Sequence, residues 1–262
     1  MSSYETCISG IRILPGCWRP HYPFEQIAWI SPPWPSQDYL WFDFPEAIFT
    51  NLGLLYLSHV NPAFPCLFPD LPQVPWERLS DGIAFERRLP NGITFGGRLV
   101  RQNDQAVGTE LYIFNGSQNT LADIKLQTCV FLRAIKEFSD YTAENKFVHI
   151  PEMGWVPFPK ARRIEREAGR YRLGWRGGRA LADLPVIATV SRDGSRLVAM
   201  TWFEDTYSLV NNPDHPCMHA DPFFPTMEPG MRARVRGELI FFEGNLDDFS
   251  QKLEPRLSSS LP

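Results

Sequence analysis

From residue 82 onwards apolar and polar side chains alternate with a period of two, the spacing of a strand with one buried face. Residues 83–89 alternate, Pro90, Asn91 and Gly92 read as a hairpin turn, and 93–101 alternate back. The next stretch, 105–115, puts Val107, Thr109, Leu111 and Ile113 on one side. Asn115, Gly116 and Ser117 then turn the chain, and 124–135 return with Ile124, Leu126, Thr128, Val130 and Leu132 in alternation. Hairpin-linked strands of this kind predict an antiparallel sheet with one wetted face. Further strands are expected on either side of a turn at 51–53, within 46–59, and on either side of Asp193 and Gly194, at 184–191 and 197–203. A last long strand is expected at 232–243. Helical spacing is confined to 160–168 and to an amphipathic run at 246–257, after which 258–262 form a tail.

Two segments break the alternation. Residues 1–45 are rich in aromatics and proline, and the pairing of Pro32 with Pro33 excludes a central strand there. This segment either wraps the outside of the core or lines a cleft with its rings. Residues 136–180 read as a long insertion across one end of the sheets, and insertions of that length are more often functional than decorative. No internal repeat or linker interrupts the chain, so residues 1–262 are expected to form a single domain. The expected fold is all-β: a large antiparallel β-sandwich, supersandwich or jelly-roll-like, with one long irregular insertion and a short C-terminal helix.

Composition narrows the partners. Lys and Arg number 26 against 30 Asp and Glu, with both signs interspersed, so the basic footprint of a nucleic-acid protein is missing. No stretch approaches the roughly 18 apolar residues of a membrane helix. The 24 prolines and 13% aromatic content suit short strands joined by stiff loops. The 5 cysteines are odd in number and never in Cys-x-x-Cys spacing, which argues against a disulfide framework and for a reducing, cytoplasmic setting. Sequence alone leaves the oligomeric state open.

The closing stretch 228–244 (EPGMRARVRGELIFFEG) and the hairpin around ELYIFNGS (110–117) and LADI (121–124) resemble the galactose-mutarotase-like β-sandwich superfamily over residues 80–244. That superfamily holds sugar epimerases, polysaccharide lyases and sugar-binding domains of hydrolases. The resemblance implies a carbohydrate substrate handled by histidines, a tyrosine and carboxylates over a concave sheet. The paired-histidine and C-terminal glutamate pattern of the aldose epimerases is not matched in this sequence.

The densest chemistry lies at 207–221 (YSLVNNPDHPCMHAD), read as a prolyl loop forming one wall of a pocket. His215 and His219, with Asp221 and with His59 at the end of a strand, make an acid–base set, since imidazole titrates near neutral pH. The same four residues are the expected ligands if a single divalent metal is bound; the alternative is no cofactor at all. In a purely structural role one histidine would bond loop backbone and Asp221 would cap a turn. Cys217 sits beside both histidines, but a nucleophile needs geometry that sequence does not supply. Within the insertion, Lys136, Asp140, Tyr141, Glu144, Asn145, Lys146 and His149 combine the residue types for proton abstraction beside a carboxylate, with Tyr141 assisting. Arg98, Arg133 and Lys136 are candidates for holding an anionic group. Trp29, Trp34, Trp41 and Trp202 are candidate stacking platforms for a sugar, with Glu204 as a neighbouring carboxylate. Three functions follow: a histidine-based epimerase or lyase, a metal-dependent sandwich enzyme, and a non-catalytic carbohydrate-binding domain.

Overall fold

The computed structural model describes residues 8–19, 22, 24–140, 142–175, 178–212 and 217–259. The N-terminal half contains β1 (Ile13–Gly16), β2 (Ile27–Ile30), β3 (Leu40–Thr50), β4 (Gly53–Leu57), β5 (Glu77–Arg78), β6 (Gly82–Arg88), β7 (Thr94–Asn103), β8 (Ala106–Phe114) and β9 (Lys125–Phe131). There follow β10 (Lys146–Ile150), β11 (Gly154–Pro157), the one-turn α1 (Phe158–Ala161), β12 (Tyr171–Leu173), β13 (Arg179–Ala182), β14 (Val186–Val190) and β15 (Arg196–Thr201). The chain ends with β16 (Thr206–Asn211), β17 (Met218–Pro222), β18 (Arg232–Glu243) and α2 (Leu246–Ser259).

These strands form two nine-stranded sheets, as an all-β sandwich requires. The first runs β1-β2-β3-β9-β17-β16-β12-β13 with β4 also on β3, and the second β11-β10-β14-β15-β18-β8-β7-β6-β5. Pairing is antiparallel except between β12 and β16. Alternate residues meet between the sheets. Phe42, Phe44, Val130, Met218 and Ala220 of the first sheet join Phe85, Leu111, Val198, Met200 and Leu239 of the second in one apolar core. The hairpin signal at 90–92 is realised: Leu89 N–H bonds the Ile93 carbonyl at 2.7 Å, and Gly92 takes a φ of 89° that few side chains tolerate.

The outer faces of the two sheets are treated differently. On the second, α2 lays Phe249 and Leu253 against Val186, Ala188, Leu197, Ala199 and Ile240. Its first turn is held by the Asn245 side chain, which accepts from the N–H groups of Asp247 and Asp248 at 2.9 and 3.0 Å. The outer face of the first sheet carries the polar groups described below.

Four expectations need correcting. Residues 124–135 do not return beside β8; β9 crosses to the first sheet, between β3 and β17, and the free edge of β8 is taken by β18 over nine pairs from Arg232↔Phe114 to Ile240↔Ala106. The connection from Asn115 is too long for a tight hairpin, and Asn115 anchors it by donating to the carbonyls of Asn119 and Met227. Residues 136–180 contribute short strands to both sheets, because 146–150 alternate buried and half-buried like any strand. The helix expected at 160–168 closes after one turn, with only Phe158 and Ala161 of α1 buried. Finally, 207–211 and 218–221 belong to the β16–β17 pair, with His219 and Asp221 replacing apolar residues on one strand face. Among the described residues no helix is long and apolar enough to cross a membrane.

Candidate functional site

The site follows from strand register. β3 and β9 pair Trp41 with Phe131 and Asp43 with Cys129. β9 and β17 pair Val130 with Met218, and the bridge Lys125↔Phe223 continues the same register. That register sets His219 opposite Cys129 and Asp221 opposite Gln127, so Asp43, Cys129 and His219 lie in one row across three strands. Their sequence neighbours Phe42, Val130, Met218 and Ala220 face the core, so the row faces outward. Beside it runs an aromatic row, Trp29, Trp41 and Phe131.

A distortion adds the next acid. The β3–β9 register advances four residues on β3, from Asp43 to Ala47, for two on β9. Such bulges re-aim side chains, and here Glu46 reaches the row: Oε2 lies 3.7 Å from His219 Nδ1 and Oε1 3.9 Å from His59 Nδ1. The row is also covered. Trp18 stacks on Phe131 with centroids at 5.4 Å and meets Trp41 at a tilt with centroids at 5.6 Å, and the Arg19 guanidinium lies over Trp18. Trp175 meets the His219 ring edge-on at 5.4 Å, and His219 is only 1% exposed.

Within this cover the polar groups hold one another. Asp43 Oδ2 accepts from Arg19 at 2.7 Å and from Ser58 Oγ at 2.6 Å. Arg19 also donates through Nε to Glu25 at 3.0 Å. Asp221 accepts from the Thr128 N–H at 3.1 Å and Ser208 Oγ at 3.3 Å, and lies 3.7 Å from His219 Nδ1. The other ring nitrogen, His219 Nε2, is 3.0 Å from Cys217 Sγ. Three buried atoms of the cluster, Asp43 Oδ1, Glu46 Oε2 and His219 Nδ1, have no hydrogen-bond partner among the described residues.

Burial dominates the titration here. It pushes the Asp43 carboxyl up to about 7 against the opposing charge of Arg19. It raises Glu46 against the charge of His219, and Asp221 against its contacts with His219. Burial disfavours the His219 imidazolium, but the charge of Cys217 and the contact with Asp221 outweigh it and hold the ring well above its ordinary range. Carboxyls raised by burial and gathered around an imidazole are the equipment of acid–base chemistry.

The candidates from sequence are redistributed. His219, Asp221, His59 and Trp41 belong to this face, with His59 and His219 meeting the two oxygens of one carboxylate. His215 and Tyr141 lie outside the described residues. Trp34 and Trp202 are inside the core: Trp34 packs on Phe138 and Phe241, and Trp202 lies parallel to Phe44 and donates to Thr128 Oγ1 at 3.3 Å. Neither presents a stacking surface to a solute. Arg98 is exposed on the second sheet opposite Glu110, and Arg133 and Lys136 are exposed beyond the end of β9. The group at 136–149 disperses: Asp140 pairs with Arg192, His149 with Asp183 at 2.7 Å, and Lys146 is buried, donating to the Thr142 carbonyl and Asn145 Oδ1. Glu204 pairs with Arg170 on the surface, beside a recess of about 480 Å³ that includes Lys125, Tyr207 and Phe223. Asp43, Glu46, Cys129, Trp18 and Arg19 were not singled out from the sequence. Their signal is two acids inside the otherwise apolar LWFDFPEAIFT of β3.

Of the four expected metal ligands, His215 lies outside the described residues, and His59, His219 and Asp221 share no single trio. Among the described residues two trios bring their donor atoms within 4.8 Å of one another: Asp43, Glu46 and His59, and Cys129, Cys217 and His219. His59 and His219 therefore fall in different trios, joined through Glu46.

No family model matches the sequence. No curated protein matches it either. Solved structures that resemble the fold include a galactose mutarotase related enzyme from Lactobacillus acidophilus, 8% identical, with a TM-score of 0.46 over 90% of this chain and 98% of that one. Another is the Slr1438 protein from Synechocystis sp. PCC 6803, 10% identical, with a TM-score of 0.44 over 90% of this chain and 98% of that one. At these scores the likeness carries no weight for activity, and the sandwich assignment rests on the strand pairing itself. Fold and site together define a class: a two-sheet β-sandwich with a covered acid–base cluster and an aromatic row on the outer face of one sheet.

Proposed function

We propose that this chain is a carbohydrate-active enzyme working by proton transfer, of the epimerase type. The observation that supports this reading most directly is the adjacency of two rows on one sheet face: Trp29, Trp41 and Phe131 beside Asp43, Cys129 and His219, with Glu46 brought alongside by the bulge. Aromatic faces suit the apolar faces of sugar rings; Trp18, half-buried over Trp41 and Phe131, is the outer ring of this row, and the carboxyls supply an acid and a base. Sequence reasoning gave the leading roles to His219 and His215. Glu46 is assigned as base because it is the partly exposed carboxylate of the cluster, and Asp43 as acid because its Oδ1 has no hydrogen-bond partner among the described residues; His219, 1% exposed, supports Glu46.

In this reading Glu46 accepts the proton of the anomeric hydroxyl while Asp43 gives a proton from Oδ1 to the ring oxygen. The bond between the anomeric carbon and the ring oxygen breaks, the aldehyde turns about its adjacent carbon–carbon bond, and reversed transfers close the other anomer. His219 directs Nδ1 at Glu46 and orients it, and Arg19 fixes Asp43 through Oδ2, leaving Oδ1 to exchange the proton. The free thiols of Cys17, Cys66 and Cys129 support the companion proposal of a reducing, cytoplasmic setting.

The test is anomer exchange measured by NMR across a panel of aldoses, for the wild type and Glu46→Gln. Accelerated exchange in the wild type that is lost in the variant, with sugar binding kept, supports the reading. Sugar binding with no acceleration would leave a binding module in its place.

A further inference from the structure

We propose that Cys129, Cys217 and His219 form a binding site for a single zinc ion, with Glu46 and Asp221 as outer carboxylates that hold the histidine. This goes beyond the acid–base reading, which uses Glu46 and Asp43, and it stands or falls separately.

Strand register makes the trio. His219 lies opposite Cys129 on neighbouring antiparallel strands, and Cys217, two residues earlier, shares its face. Directly opposite and diagonal positions are the ones whose side chains meet. The three donor atoms lie within 4.8 Å of one another, with Cys217 Sγ and His219 Nε2 at 3.0 Å, and all three residues are buried. Bonds of about 2.3 Å to sulfur and about 2.0 Å to nitrogen in a tetrahedral arrangement put ligand atoms roughly 3.5–3.8 Å apart. The observed separations, 3.0 Å for Cys217 Sγ to His219 Nε2 and within 4.8 Å for the rest, bracket that spacing.

Donor chemistry selects the ion. Two thiolates and an imidazole are soft and borderline donors that favour zinc over magnesium or calcium. Two thiolates also balance a divalent cation, so the loaded centre is neutral and suited to burial. Three protein donors leave a fourth position for water or a solute oxygen.

A second observation is independent of the donors. A metal-binding histidine commonly turns its other nitrogen toward a carboxylate. With Nε2 facing Cys217, His219 Nδ1 already faces Glu46 Oε2 and Asp221 Oδ1, each at 3.7 Å. Asp221 is itself held by Thr128 and Ser208. Both carboxylates stand just beyond hydrogen-bond range of Nδ1, and buried Nδ1 and Glu46 Oε2 have no hydrogen-bond partner among the described residues, so the outer support of a histidine ligand lies close at hand. Binding converts two thiols to thiolates and releases their protons.

The full-length protein, freed of metal with a chelator under reducing conditions, is titrated with Co²⁺ and then Zn²⁺. The expected result is uptake of one equivalent of Co²⁺, with a thiolate-to-cobalt charge-transfer band in the near ultraviolet and the visible bands of a four-coordinate ion, all erased by zinc. Cys129→Ser and Cys217→Ser each weaken the charge-transfer band, and Glu46→Gln lowers affinity about 10–100-fold. If the cysteine variants fail to fold, stoichiometry and spectrum of the wild type decide alone. Absence of stoichiometric uptake, a spectrum without thiolate character, or a charge-transfer band left undiminished by Cys217→Ser in folded protein would overturn the proposal. None of these readouts involves a sugar, so failure of the epimerase reading leaves them intact.

Discussion

Replacing Lys146 with methionine is expected to stabilise the protein at neutral pH. Lys146 is 1% exposed, and among the described residues its amine donates to neutral oxygens, the Thr142 carbonyl at 3.1 Å and Asn145 Oδ1 at 2.9 Å. Burial pulls its pKa down to about 8, with the charge of Cys217 opposing the fall. The unfolded chain restores the ordinary value of about 10.4, and at about 1.4 kcal/mol per pH unit the buried charge costs about 3 kcal/mol. The sign follows from proton counts. Between about 8 and 10.4 the unfolded chain binds more protons than the folded one, so the Lys146 contribution to stability improves as pH rises through that window. Below it the full cost is present. Thr142 and Asn145 are only half-buried, so water can serve the oxygens that methionine abandons. Urea unfolding of wild type and Lys146→Met at pH 7 and above pH 10 measures the difference, which removes the titration of all other groups. The variant should be about 2–3 kcal/mol more stable at pH 7, with the gap closing at high pH. A gap that does not change with pH, or a variant less stable at pH 7, would refute the reasoning.

Other outcomes follow from the same geometry. Glu46→Gln should reduce anomer exchange by about 10²–10⁴-fold with little change in unfolding midpoint, as expected for a proton-transfer group. Trp41→Ala should raise KM more than it lowers kcat, because the ring belongs to the aromatic row and not to the proton path; equal effects on both would remove it from the binding surface. Phe249→Ala, on the opposite outer face, should cost about 3–5 kcal/mol in urea while leaving any catalysis untouched. Asn245→Ala should cost about 1 kcal/mol by uncapping α2, readable as a lower thermal midpoint.

How much of this was legible in the sequence depends on the kind of signal. Strands with one polar face announced themselves: 83–89, 93–101 and 232–243 correspond closely to β6, β7 and β18. What failed was the assumption that polar means outside a strand. In β17 the run Met218–Pro222 is buried throughout, with His219 packed under Trp175 and Asp221 held by Thr128 and Ser208 of the neighbouring strands. A strand covered on both faces by different chemistry has no clean alternation, so it reads as a loop. Asp43 and Glu46 escaped for a related reason. Three residues apart, they would face opposite sides of a regular strand, and only the bulge joins them. The tryptophans divided by depth, which composition does not reveal: Trp41 lies on the site face, while Trp34 and Trp202 fill the space between the sheets.

The two surplus residues of β3 between Asp43 and Ala47 act as a phase shifter for everything downstream on that strand. An in-frame loss of one residue there would exchange the facing of Ala47, Ile48 and Phe49 and wreck the interior. Loss of two would restore strict pleating at no cost to the interior pattern, yet strip the second carboxylate from the site. Proteins with this chemistry should therefore be sought by chain length between two landmarks, the acid after the aromatic pair and the apolar run beyond it, and not by residue identity.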